Sequence, residues 1–456
     1  MIMRTGLCFI ILLIGLGTFA QPGPGFTLKG EIDNFQRPET FYLLTVRGSG
    51  MEVVDSMHSE NGRFLFISDT ILPTGEYVIF WGDDNLLPTI IAGEKYIEIH
   101  ADELEPSLTP VSVASVENEI YFLFKSIEYK IDSLIYLGDY YYSKSMFDEL
   151  IVIQEELSML EEKALQSADS ISKIHPESFA LKIFRASIPP DFYVYQKENP
   201  DHGYETESDF LRRHYFDNID KNDSNLVRTK VLYDACSFYI RNLTEEKSTE
   251  GYIKSSNFII SSFAANDAQF NYVVELLLNT FEAADMGDVY IYLFDTYMET
   301  CHDGIPGEEE RKALAFKNLK KGNPAPELIA ADRDGKMHSL SDYKDKVVIL
   351  VFWASTCPHC EEILPYVVAY VGELNNPDVI LMSFSIDTDE DQWINGILRN
   401  EMPEPAISDL KGFDGENALN WHLWATPTFF VIDRDGLIYS KPMTLSQLEK
   451  AVGELL

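Results

Sequence analysis

Basic side chains are scarce in this sequence. Lys and Arg total 36 against 74 Asp and Glu, a formal net charge of −38 over 456 residues. A surface so anionic repels phosphate backbones and anionic bilayers, which excludes nucleic acid as a partner. Cysteine is scarcer still, at five. A scaffold stapled by disulfides carries a much higher density, so these cysteines are not there as a framework. Long apolar runs are missing apart from Leu7–Leu16, which is too short to span a bilayer comfortably. Nor does the sequence carry a Gly-rich phosphate loop, a set of metal ligands or a Ser/His/Asp pattern.

What is there begins with that one apolar run. Arg4 stands before it, and Thr18 and Ala20 supply small residues just ahead of Gln21. This is the pattern of a secretory signal peptide over residues 1–20, with an uncleaved anchor as the alternative. Export places the mature chain in an oxidising compartment, and Cys8 leaves with the signal. Cys236, Cys301, Cys357 and Cys360 remain. The first two either pair as a second disulfide or stay as buried free thiols. The last two form a C-x-x-C, which in an exported chain poor in cysteine points to redox work.

Three stretches differ in period. Residues 21–115 read as a β-rich domain, a small antiparallel sandwich or barrel. Its runs are "FTLKGEI", "TFYLLTV", "RFLFIS", "EYVIFWG" and "KYIEIHA", short and rich in aromatic and β-branched residues. "SENGRF" adds an Asn-Gly hairpin signal. Residues 116–319 repeat apolar positions at three and four and read as a helical domain. The aromatic stretch from Glu119 fits a packed helix better than a carbohydrate platform. Residues 320–456 alternate strand and helix patterns and end on a hairpin around an Asp-Gly turn. That order predicts an α/β sheet covered on both faces. The fold class is therefore multidomain: an all-β sandwich or barrel, an all-α segment, then a C-terminal α/β domain.

The chemistry sits in "FWASTCPHC". A buried-type strand, "KVVILVFWA", runs into Cys357 and Pro358. Proline suits the first helical position, where its missing N–H is not needed. Cys357 then caps a helix N-terminus, whose free N–H groups and positive dipole end favour a thiolate. Cys360 lies one turn further in, within reach of a ring closure. Cys357 is the expected nucleophile and Cys360 the resolving thiol, acting through a mixed disulfide. His359 between them favours thiolate, while Glu361 and Glu362 oppose it. Structural zinc, with His359 as a ligand, and an inert disulfide are the competing readings. About seventy residues on, "WATPTFFVID" places Thr426-Pro427 ahead of an apolar strand, where a proline is tolerated and a cis bond would be a deliberate feature. Trp424, Trp421 and Trp393 either line a substrate groove or pack in the core.

Together, "FWASTCPHC" and "ATPTFFVIDRDG" resemble the thioredoxin-like superfamily, and specifically the TlpA/ResA group of exported thiol-disulfide oxidoreductases. "NPAPELIAADRDGKMHSLSDYKDKVVILVFWA" resembles that group's opening. The resemblance covers about residues 320–456. The upstream parts resemble, more loosely, domains that precede such thioredoxin domains in Bacteroidetes-type exported proteins. The resemblance implies that Thr426-Pro427 holds a cis bond facing the cysteines, and that the Thr426 backbone pairs with the partner's peptide. It implies a substrate-binding set of Trp353, Trp424, Thr426 and Pro427, with Trp353 packing under the active-site loop. It implies no cofactor beyond the redox-active Cys357–Cys360 pair and no metal. The implied partners are exported protein thiols and disulfides, with a membrane electron donor as a second candidate; no oligomeric state follows. Three positions depart from the pattern. Val351 replaces a buried Asp of thioredoxin, Ile363 replaces a common Glu, and Glu361 replaces a common Lys or Arg, leaving the proton acceptor for Cys360 unassigned. Two other functions compete. A peroxiredoxin-like peroxidase wants Thr three residues before the reactive cysteine, where this chain has Ala354. A binding or adaptor protein would work through its first 320 residues.

Overall fold

The computed structural model describes residues 25–201, 203–298 and 307–456. The expected signal peptide lies outside the described residues, as does Cys301 and with it the question of its pairing with Cys236. The chain divides into two compact units, Met1–Thr244 with Phe258–Val273 and Glu245–Asn257 with Val274–Leu456.

The first unit opens with eight strands: β1 (Phe26–Asp33), β2 (Glu39–Arg47), β3 (Gly50–Ser59), β4 (Arg63–Ser68), β5 (Gly75–Trp81), β6 (Asn85–Ile91), β7 (Tyr96–Asp102) and β8 (Val111–Ala114). They form two four-stranded sheets, ordered β4-β1-β7-β8 and β3-β2-β5-β6. Two expectations are corrected here. The strands are not all antiparallel, because β1 and β7 pair in parallel. Asn61-Gly62 does not close a hairpin either: β3 and β4 belong to different sheets, so this turn carries the chain from one sheet to the other. Its glycine sits at φ +78°, which explains the residue choice without a hairpin. Alternation then buries Phe64 and Phe66 on β4, and Phe64 meets Phe41 of the other sheet with ring centroids 5.9 Å apart.

Helices follow: α1 (Val116–Ser143), α2 (Phe147–Ile174), α3 (Phe179–Ser187), α4 (Phe192–Glu198), α5 (Glu207–His214) and α6 (Val231–Phe238); the next two, α7 (Thr249–Ser262) and α8 (Asp267–Ala283), are each divided between the two units. Ser115 caps α1 through its side chain, and Glu117 and Glu119 complement the dipole in the first turn. The helix is pinned to β6 by Asn118, fully buried and fully bonded. Its Oδ1 accepts from Thr89 Oγ1 (2.6 Å) and Ile90 N (2.9 Å), and its Nδ2 donates to Ile90 O (2.8 Å). Burial pushes the thiol of Cys236, on α6, well up.

The second unit adds α9 (Gly287–Tyr297) and α10 (Glu308–Asn318) to an α/β domain. That domain runs β9 (Ile329–Asp332), β10 (Met337–Ser339), β11 (Val347–Trp353), α11 (Pro358–Leu374), β12 (Val379–Ser385), α12 (Glu390–Arg399), β13 (Ala406–Ser408), α13 (Glu416–Asn420), β14 (Thr428–Ile432), β15 (Ile438–Ser440) and α14 (Leu445–Gly453). One seven-stranded sheet results, ordered β10-β9-β13-β12-β11-β14-β15. β11 pairs in parallel with β12 and antiparallel with β14, and all seven of its residues are buried. Its side chains alternate between two cores. Val348, Leu350 and Phe352 meet Met382, Phe384, Trp421 and Phe430 on one face. Val347, Ile349, Val351 and Trp353 meet Cys360, Leu364, Val367, Trp393 and Leu448 on the other. A strand covered on both faces must be apolar throughout, which is why "VVILVFW" shows no polar alternation. Arg311 ties α10 to this domain: its guanidinium donates to Phe413 O (2.8 Å), Leu423 O (3.1 Å) and Asp414 Oδ1 (2.9 Å).

Candidate active site

β11 delivers its chain end to the edge of the core, and α11 starts five residues later. Cys357 is the N-cap of α11, with Pro358 inside the first turn. As cap, Cys357 Sγ accepts at 3.3 Å from Cys360 N, an N–H it shares with its own carbonyl oxygen at 3.1 Å. Cys357 is partly exposed and Cys360 is buried at 1% exposure. Both are thiols in this structure. Burial first, and then the adjoining Cys357, pushes the Cys360 thiol up to about 12.

The thiol of Cys357 also donates to Thr426 O at 3.4 Å. The Thr426–Pro427 peptide is cis. The structure thus brings together Cys357, Pro358, Cys360, Thr426 and Pro427 from two segments about seventy residues apart. His359 joins them at the surface, its Nδ1 3.7 Å from Glu362 Oε2 with both side chains largely exposed. A groove of about 440 Å³ runs beside Pro427. Its walls include His359, Ile363, Tyr366, Phe429 and Met443.

The tryptophans separate. Trp353 is fully buried among Val351, Cys360 and Phe429, so it supports the loop from beneath and cannot touch a client; its grouping with the substrate-binding residues is corrected. Trp421 and Trp393 are core residues as well, at 0% and 3% exposure. Trp424 is only partly buried, and Lys441 Nζ lies 4.2 Å from its ring centroid. Val351, standing where thioredoxin has an Asp, and Ile363 both pack in or against the core that holds Cys360.

Sequence reasoning missed a polar cluster beneath the loop. Asp387, buried two residues beyond β12, accepts from Ser355 N at 3.1 Å to each carboxylate oxygen. It accepts from Ser355 Oγ at 2.9 Å and from Ser385 Oγ at 2.6 Å. Arg399, the last residue of α12, donates from Nη2 to Ser355 O at 2.6 Å. The same nitrogen lies 2.9 Å from Glu361 Oε1. Gly396 lets α12 come this close: a Cβ there would stand 2.8 Å from the Trp353 ring and 2.9 Å from Ser355 Cβ. The available signal was "SFSID", a carboxylate closing a strand that neighbours the cysteine-bearing one. Among the described residues, no group of three or more His, Cys, Asp or Glu side chains is placed to hold a metal ion.

Compared with known proteins, the AhpC/TSA family model matches residues 321–441. Thiol-disulfide oxidoreductase ResA of Bacillus cereus is 28% identical over 154 residues, 33% of this chain and 83% of that protein. Among solved structures, the thioredoxin domain of a thiol-disulfide oxidoreductase from Bacteroides vulgatus is 23% identical with a TM-score of 0.29, covering 30% of this chain and 97% of that one. A thiol-disulfide oxidoreductase from Bacteroides fragilis is also 23% identical, with a TM-score of 0.28 and coverage of 29% and 100%. The C-terminal part of this chain is thus a thioredoxin-like domain of the AhpC/TSA family, related to thiol-disulfide oxidoreductases of the ResA type.

Proposed function

We propose that this protein is an exported, periplasmic thiol-disulfide oxidoreductase that exchanges disulfides with other exported proteins through Cys357 and Cys360. The observation that carries the reading is the asymmetry of the pair. One sulfur is partly exposed at a helix N-terminus beside Thr426-Pro427, and the other is buried one turn inward. In the reducing direction, the Cys357 thiolate attacks a client disulfide. A bond forms from Cys357 to one client sulfur, and the second client sulfur leaves as thiolate. Cys360 then loses its proton and attacks the Cys357 sulfur. This closes the Cys357–Cys360 disulfide and releases the first client sulfur. Two electrons pass from this protein to the client, so a dithiol donor, such as a membrane electron carrier, must restore the pair. In the oxidising direction the same bonds form and break in reverse.

No cofactor beyond the two cysteines enters this scheme. Pro358 sets the helix start, His359 lines the groove beside Pro427, Trp424 is a candidate client contact, and Thr426 offers its backbone to an extended client peptide. The catalytic domain begins near residue 320, and the β-rich and helical segments before it serve client capture or placement. In an insulin-reduction assay with dithiothreitol, Cys357→Ser abolishes turnover, and Cys360→Ser accumulates a client-linked mixed disulfide. Full turnover by the Cys357→Ser protein would sink the assignment. The peroxidase alternative lacks support in the loop, because Ala354 offers no hydroxyl and Ser355 Oγ is committed to Asp387. Hydrogen peroxide should oxidise the dithiol no faster than a free thiol control.

A further inference from the structure

One residue of the active-site loop is held at every polar atom it has. Ser355 gives its N–H and its hydroxyl to Asp387 and receives Arg399 on its carbonyl. It stands two residues before Cys357, and Cys357 N in turn donates to Ala354 O at 3.2 Å. Asp387 is fixed from its own side: Ser385 Oγ accepts from Asp387 N at 3.0 Å while donating to its carboxylate. The strand register makes this possible. Trp353 on β11 pairs with Ser385 on β12, so the residues that follow each strand leave the sheet side by side.

Arg399 then does something a loop anchor alone would not. It spans from the Ser355 carbonyl to Glu361, which lies on the first turn of α11 with its N–H donating to Cys357 O at 3.2 Å. A carboxylate in that turn opposes negative charge on the N-cap sulfur. The guanidinium sits against it and offsets that charge. Other charged groups at this end are Asp387, whose carboxylate holds Ser355 from beneath, and His359 and Glu362, which face each other on the outside of α11. Lys441 lines the same groove as Pro427.

Building on the oxidoreductase reading, we propose that Arg399 is a positioning residue for Cys357: it holds the Ser355 carbonyl and neutralises Glu361, so that the thiolate forms in a fixed loop without a carboxylate acting against it. Asp387 is its counterpart beneath the loop. Helix α12 thereby belongs to the redox site.

The test is a double-mutant cycle on the full chain, read as the iodoacetamide alkylation rate of Cys357, resolved by peptide mass, across pH 5–10. With Arg399→Gln, the rate at pH 7 falls about threefold and the profile moves to higher pH, the size expected for one half-exposed charge. Glu361→Gln alone changes the rate by less than about a factor of 1.5, because its charge is already offset. Glu361→Gln in the Arg399→Gln background restores most of the loss, and Arg399→Lys, which keeps the charge, retains most of the wild-type rate. A wild-type profile for Arg399→Gln, or a loss that Glu361→Gln does not rescue, overturns the proposal. Thermal midpoints run in parallel separate this from unfolding. The readout needs no client, so it stands apart from the insulin assay: turnover retained by Cys357→Ser defeats the oxidoreductase reading, whereas an unrescued Arg399→Gln defeats only this one.

Discussion

Removing the proposed nucleophile, Cys357, isolates the proposed resolving thiol, Cys360, whose reactivity can be worked out from its surroundings. In a Cys357→Ser protein the serine oxygen replaces the neighbouring sulfur. Burial, the larger cause of the raised Cys360 value of about 12, stays in place. At pH 8 an ordinary thiol with a pKa of about 8.5 is roughly a quarter ionised, whereas a thiol at about 12 is ionised about once in ten thousand. That is a deficit of about 2,000-fold in thiolate. The more basic thiolate is also the better nucleophile, and a Brønsted slope of about 0.4–0.5 returns about 25- to 55-fold. The net expectation is alkylation of Cys360 about 40- to 100-fold slower than free cysteine, before restricted access slows it further. The assay is iodoacetamide labelling followed by peptide mass spectrometry. The rate should rise about tenfold per pH unit from pH 8 to 10 instead of levelling near pH 9. A rate within about threefold of free cysteine at pH 8, or a plateau near pH 9, would refute the account of Cys360 as a thiol suppressed by burial.

Two further predictions test the surroundings. Gly396→Ala places a methyl 2.8 Å from the Trp353 ring. It should cost about 1–3 kcal/mol in urea unfolding, and a variant as stable as wild type, which helix propensity alone would allow, would disprove the close approach. Burial pushes Tyr215 and Tyr239 up to about 12. An unfolded tyrosine ionises near pH 10, so their contribution to stability is intact below about pH 10 and is lost as pH rises towards 12. The midpoint of thermal unfolding should therefore fall most steeply across that window. A flat profile there counts against these two burials.

What the sequence made legible was local. Cys357 as N-cap, Pro358 in the first turn and the uninterrupted apolar strand ahead of them are signals carried by adjacent residues. Thr426-Pro427 stood out because proline before a strand is rare. The clamp on Ser355 was not legible, because Asp387 and Arg399 reach the loop only through the register of β11 on β12. Arg399 reads in isolation as a cation at a helix C-terminus, where the dipole already explains it. β3 escaped notice because its residues are almost all exposed, and β6 because Pro88 interrupts it. The Asn-Gly signal misled for a similar reason: a turn sequence reports the local bend but not which sheet the next strand will join. Trp353 and Trp424 look alike in sequence, and only the fold decides that one is fully buried under the loop while the other stays partly exposed beside Lys441.

The doubly covered strand β11 has a consequence for motion. Its amides are bonded on both edges and shielded on both faces, so they should exchange with solvent only when the whole domain opens. The cysteine turn hangs from that segment and borrows its rigidity. Under the oxidoreductase reading, adaptation to clients of different shape falls to the outer wall of the groove, where Tyr366 and Met443 are 63% and 73% exposed and free to change rotamer within nanoseconds. The cysteine turn is held still while the outer wall of the groove beside it is soft.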